Sequence, residues 1–447
     1  MTSPNDKRKK VAVAALVVAG VAAGAAGVAW LAMQEETAPE RLEAALKALF
    51  ASRSVAEVEA LLDQSLLDVA PAAGVLRVVS DVARFYGEVA EVHVDPRPVQ
   101  AGLNVFEYAA TLKWSTISGV AGWNDLTGKV NSWTITRMAY DDHYLAGLTL
   151  EGVLADFDSL PGNKTLVFAR DGEVLASRNP GAKLAVGSTF KLWVLEALVE
   201  FVEHDPSTTW NTTLALREDW KSLPSGVLQD VPTGTEFTLR QLAEYMVNVS
   251  DNTATDHLVR FLGRERVEAL LPAGYDLPFL ATAEVFKLRW LLPAQDLAGY
   301  LAADEAARRQ VLEGPVASVN VSDFYSAQVN YTEDLWNRAR LEWHFNATDV
   351  LNQLVNVREA PISWTNPGLA DPARWERVAY KGGSDVGVLS LAHACQAANG
   401  SWYQVYLAVN DYDLDRLSEF GSEALPAQIG AYATCQRLLG FAALQSP

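Results

Sequence analysis

Ser188-Thr189-Phe190-Lys191 stands at the head of the run Leu192-Trp193-Val194-Leu195-Glu196-Ala197-Leu198-Val199, and its reading decides the fold of the larger part of this 447-residue chain. The run is apolar enough to be a buried helix, and residues three apart share a helix face, so Ser188 Oγ and Lys191 Nζ lie on one side. A lysine held among apolar neighbours gives up its proton readily and can activate a hydroxyl. The pair reads as a nucleophile and its base. Alone the motif is weak, because a serine at a helix start is most often an N-cap. Two more clusters follow: Ser250-Asp251-Asn252, by itself a turn, and Lys381-Gly382-Gly383, by itself a hairpin or bulge. Their conjunction in this order points to a serine site.

In that order the clusters resemble the penicillin-recognising serine hydrolases, most closely the class A β-lactamases, whose signature is Ser-x-x-Lys, Ser-Asp-Asn and Lys-Thr-Gly. The likeness runs from about Lys164 to the C-terminus. It takes in Leu223-Pro224-Ser225-Gly226, Pro232-Thr233-Gly234, a helix over Thr238 to Val249, and Thr253-Ala254-Thr255-Asp256. The gap from Ser250 to Lys381 is longer than in the family, so an insertion lies there.

The resemblance implies a division of labour. Ser188 attacks a carbonyl while Lys191 takes its proton; Ser250 relays a proton to the leaving group, and Asn252 binds a substrate amide. Lys381 offers positive charge to a substrate carboxylate and eases proton transfer at Ser250. Gly382 and Gly383 let an edge strand lie close to an extended substrate, and the N–H groups of Ser188 and Ser384 form the oxyanion hole. The expected substrate is a small molecule or peptide with a carbonyl and a carboxylate, and no cofactor or metal is called for. Gly382 departs from the family, where threonine adds a hydroxyl for the carboxylate. The family's Glu-x-x-Leu-Asn, which positions the deacylating water, has no counterpart. Glu284 stands at about the right distance from Ser250 as candidate deacylation base, against the favoured reading of a first-turn helix carboxylate facing solvent. Glu342 ranks second.

His93, His143, His204, His257, His344 and His393 are scattered, without the spacing of a zinc site. There is no Gly-x-Ser-x-Gly elbow. His393 reads as packing, and Asp256-His257 as facing solvent or a neighbouring loop. A formal charge of −19 argues against nucleic acid as a partner. Cys395 and Cys435 could pair in an oxidising compartment or remain two buried thiols. Asn-x-Ser/Thr sequons are read as chance, since one of them contains Ser250.

Lys7-Arg8-Lys9-Lys10 closes a basic tail (1–10) ahead of an uncharged stretch, 11–33. As a helix it would run about 34 Å, enough for a hydrocarbon core of about 30 Å. Basic residues stay inside, so the remainder is expected extracytoplasmic, anchored by this membrane helix or released if it is a cleaved signal peptide. Residues 39–152 read as a smaller α+β domain. Helices are expected over 41–52, 55–62 and 76–86, and strands over 89–94, 105–115, 130–138 and 144–150. Such a layout resembles NTF2-like (steroid-isomerase-like) or cystatin-like modules, here a spacer or partner-binding unit. Residues 160–447 are expected to form the β-lactamase/transpeptidase-like α+β catalytic domain: an all-helical lobe beside an antiparallel sheet. Its strands fall over 166–169, 174–177, 378–382, 387–395 and 402–409, with a terminal helix, 426–439, packed on that sheet.

Overall fold

The computed structural model describes residues 37–325, 339–419 and 426–445. The basic tail and the expected membrane segment lie outside the described residues; among those described, no helix is long and apolar enough to cross a membrane. The chain forms two compact units. One is Gly162–Tyr412; the other joins the residues up to Pro161 with Asp413–Leu444.

The split unit opens with α1 (Ala38–Ala51), α2 (Val55–Leu61) and α3 (Ala72–Tyr86). The first two start in capping boxes, Thr37 with Glu40 and Ser54 with Glu57, which satisfy orphan N–H groups at each helix start. An antiparallel meander follows: β1 (Val89–Pro98), β2 (Val105–Leu112), β3 (Ser115–Asn124) and β4 (Lys129–Tyr140), each paired with the next. Phe106, Tyr108, Ala110 and Leu112 alternate inward along β2.

Two expectations fail here. Strand β3 was not anticipated, because Gly119 and Gly122 dilute its pattern; the Tyr108 ring comes within 2.8 Å of where a Cβ at Gly119 would stand. Tyr144 to Leu150 is no strand. It holds the short helix α4 (Asp142–Ala146) and the start of α5 (Leu150–Asp158), and Tyr144 stacks on Trp114 and Tyr140 at 5.3 and 5.2 Å.

The other unit begins with β5 (Asn163–Arg170) and β6 (Glu173–Arg178), joined through Asp171 and Gly172, both at positive φ. After β7 (Leu184–Ala185) come the helices α6 (Lys191–His204), α7 (Leu239–Asn248), α8 (Asn252–Leu262) and α9 (Thr282–Trp290). Then follow β8 (His344–Phe345), α10 (Ala347–Val357), β9 (Arg377–Asp385), β10 (Val388–Gln396) and β11 (Trp402–Asn410). The sheet order is β9-β10-β11-β5-β6, antiparallel throughout, so β9 is an edge strand. Phe190, Trp193, Leu198, Leu242, Met246, Leu258 and Leu354 fill the core between helices and sheet.

The last helix, α11 (Gln428–Leu444), groups with the split unit. It completes the split unit. Tyr86 Oη donates to Gln436 Oε1 at 2.7 Å, Gln436 Nε2 donates to the Met138 carbonyl at 2.7 Å, and Arg437 pairs with Asp156 at 2.7 Å. Its apolar residues lie on every side, so periodicity gave no face from which a partner could be read. Cys395 on β10 and Cys435 on α11 thus fall in different units, both as buried thiols.

Candidate active site

Ser188 lies on a 3₁₀ turn, Gly187–Phe190, that runs directly into α6 at Lys191. The hydrogen bonds of Lys191 Nζ go to Ser250 and Asn252, not to Ser188. The turn is clamped against β9. A Cβ on Gly187, at φ +49°, would stand 2.8 Å from Ser384 N, and one on Gly383 would stand 2.6 Å from Ser188 N and 2.7 Å from Thr189 N. Neither position admits a side chain. The absent side chains bring the Ser188 and Ser384 amides to one place, where two N–H donors can serve an oxyanion. Ser390 Oγ gives its one proton to the Val186 carbonyl at 2.6 Å, so Thr189 Oγ1 donates to it, also at 2.6 Å, pinning the turn to β10.

Lys191 is fully buried. Its Nζ donates to the Ser250 carbonyl at 2.6 Å, to Asn252 Oδ1 at 2.7 Å and to Ser250 Oγ at 3.1 Å. Desolvation, then the nearby Lys381 charge, hold its pKa well below the ordinary lysine value, partly offset by Asp251 and Asp256. Lys381, from β9, also reaches Ser250 Oγ, at 3.0 Å, and burial lowers its pKa to about 7. One hydroxyl therefore meets two amines that titrate below the usual lysine range.

Ser250 holds φ +57°, a left-handed conformation that costs a non-glycine residue of order 1–3 kcal/mol. Its carbonyl accepts from both Lys191 and Ser225 Oγ (2.6 Å each), which maintains that geometry. Two residues that motif reading passed over do the holding. Buried Asp251 accepts from Ala254 N at the start of α8 and from Val227 N and Leu228 N, tying down the Ser225-Gly226 loop. Ser225 also receives the Asn252 N–H at its carbonyl, 3.0 Å. The only hint in the sequence was the Leu223-Pro224-Ser225-Gly226 stretch. Asn252 itself is turned inward. Its Nδ2 donates to the Leu223 carbonyl at 3.0 Å while Oδ1 receives Lys191, so it holds the lysine in place.

The two carboxylate candidates are engaged elsewhere. Glu284 does not face solvent: it is buried, its Oε1 taking Arg260 at 3.0 Å and Arg264 at 2.6 Å, its Oε2 capping the Ala281 N–H at 2.9 Å. Glu342 is buried and paired with Arg289 at 2.7 Å; Arg289 also pairs with Asp385, the residue after Ser384 on β9. Burial pushes Glu342 up to about 8. Trp343 stacks on Phe190 at 3.8 Å and its carbonyl takes the Val186 N–H, so the 341–345 segment is zipped to the strand leading to Ser188.

Asp256 and His257, expected outside, are buried. Asp256 caps α9 through Thr282 N and Ala283 N; His257 Nε2 accepts from Arg217 N. His393 packs as expected, its Nε2 accepting from Leu369 N, and burial holds it at about 3. Among the described residues no group of three or more His, Cys, Asp and Glu side chains is disposed to hold a metal.

Residues 154–300 match the model of the β-lactamase enzyme family. The match covers the Ser188 and Ser250 motifs. Solved structures to which the chain is similar include a β-lactamase from Sphaerobacter thermophilus DSM 20745 (19% identity, 67% of this chain and 100% of that one, TM-score 0.44). PBP-A (14%, 66% and 96%, 0.42) and a class A β-lactamase representative from Bacteroides cellulosilyticus DSM 14838 (16%, 66% and 97%, 0.41) are others. No curated protein sequence matches the chain.

Proposed function

We propose that residues 162–412 are a β-lactamase-like serine hydrolase that forms an acyl-enzyme on Ser188 with a β-lactam, an ester or an acyl-D-alanyl-type peptide. One observation carries the reading: Lys191 and Lys381 both reach Ser250 Oγ, at 3.1 and 3.0 Å. Neutral Lys191 accepts the Ser188 proton as Oγ bonds to the carbonyl carbon. The negative oxygen turns to the Ser188 and Ser384 N–H groups, and Ser250 passes a proton to the departing nitrogen or oxygen. The ammonium form of Lys381 suits a substrate carboxylate.

A second reading, a penicillin-binding or sensing protein that turns over slowly, is favoured by one feature. Both carboxylates considered for water activation, Glu284 and Glu342, are buried and bound to arginines. Hydrolysis of a chromogenic cephalosporin and of an activated ester, lost in Ser188→Ala, supports the hydrolase. Labelling of Ser188 by a fluorescent penicillin that persists for hours without product supports the slow-turnover reading. The basic tail and the uncharged 11–33 stretch support an extracytoplasmic location at the cell envelope, tethered or released by cleavage.

A further inference from the structure

Gly382 removes the hydroxyl that the resemblance would place beside Lys381, yet the space is filled. A side chain at Gly382 would collide with the hydroxyl of Tyr380, whose Cζ would lie 3.0 Å from the added Cβ. Tyr380 and Gly382 are two apart on edge strand β9 and share its half-buried face, while Lys381 and Gly383 between and beyond them are buried on the other. The ring is seated in a slot made for it. A Cβ on Gly368, at φ +58°, would stand 2.5 Å from Tyr380 Cδ2, and the His393 ring lies 4.5 Å away, itself oriented by the Leu369 N–H. Glycine at 368 lets the phenol lie down along the strand, and glycine at 382 lets its oxygen end there.

The geometry points to Tyr380 Oη as the substrate-binding hydroxyl of this site, replacing the missing side chain at 382 and meeting the substrate carboxylate together with Lys381. A phenol O–H donates strongly to a carboxylate, and a ring held by packing reaches it with little loss of freedom.

This inference rests on Ser188 acylation, and its test separates the two. The second-order rate of Ser188 acylation is measured by mass spectrometry for benzylpenicillin and for its uncharged methyl ester, in the wild type and in Tyr380→Phe, which keeps the ring. Loss of a hydrogen bond to a charged group predicts a roughly ten- to hundredfold slower reaction with benzylpenicillin, with the methyl ester within about twofold of wild type. Equal rates in the two proteins, or an equal loss with both probes, would overturn the role of Tyr380 while leaving Ser188 as nucleophile. A wild type acylated by neither probe would overturn the nucleophile reading and this inference with it.

Discussion

Replacing Arg289 by methionine tests how the oxyanion strand is held. Its guanidinium is 4% exposed and binds Glu342, 1% exposed, at 2.7 Å, and Asp385 at the end of β9. Methionine keeps the volume and leaves two carboxylates facing each other without a cation. Breaking one buried pair typically costs about 3–5 kcal/mol, and for a unit of this size each kcal/mol lowers the melting temperature by about 2–4 °C, so a drop of roughly 6–20 °C is expected at pH 8.

The sign of the pH dependence is the sharper test. With the cation gone, both carboxyls have folded-state pKa values above their unfolded ones, so stability is intact below about pH 4 and is lost as pH rises through the raised values. Wild-type Glu342, at about 8, already contributes in that direction. The deficit of Arg289→Met, read from urea denaturation, should shrink at pH 5 and grow at pH 8, and adding Glu342→Gln should restore a large part of it. A deficit under about 1 kcal/mol at pH 8, or one that does not change with pH, would refute the reasoning.

Other outcomes follow from the same geometry. Ser250→Ala should slow Ser188 acylation by about 10²–10³ with the fold retained, since it removes a proton relay and no core contact; stopped-flow labelling reads it. Lys381 loses its proton near 7, so acylation by a carboxylate-bearing β-lactam should fall as pH rises above that value, and the fall should vanish in Lys381→Met. In the split unit, a side chain on Gly430 would meet Leu160 and, at 2.9 Å, Phe85, so Gly430→Leu should cost about 1–3 kcal/mol. Deletion of residues 413–447 should speed hydrogen exchange at the amides of α3 and α5, which α11 contacts.

The larger unit was legible because it carries short motifs: Lys191 begins the expected helix and Lys381 lies on the expected strand, whereas Ser188 sits on a 3₁₀ turn and Ser250 between two helices. Its limits have physical causes. Glu284 and Glu342 were judged by sequence distance, but arginines at 260, 264 and 289 claim them, and no local pattern announces such a partner. That Asn252 also holds Lys191 could not be read from the motif. Strand β3 hid behind two glycines. The terminal helix joins a unit begun almost four hundred residues earlier, a grouping that periodicity cannot encode.

The most direct measurement is the intact mass of the protein after exposure to benzylpenicillin, followed by peptide mapping. The account predicts a covalent adduct carrying the whole mass of the β-lactam on the peptide that contains Ser188, absent in Ser188→Ala. An unmodified wild type at millimolar penicillin, or an adduct that persists in Ser188→Ala, would contradict it.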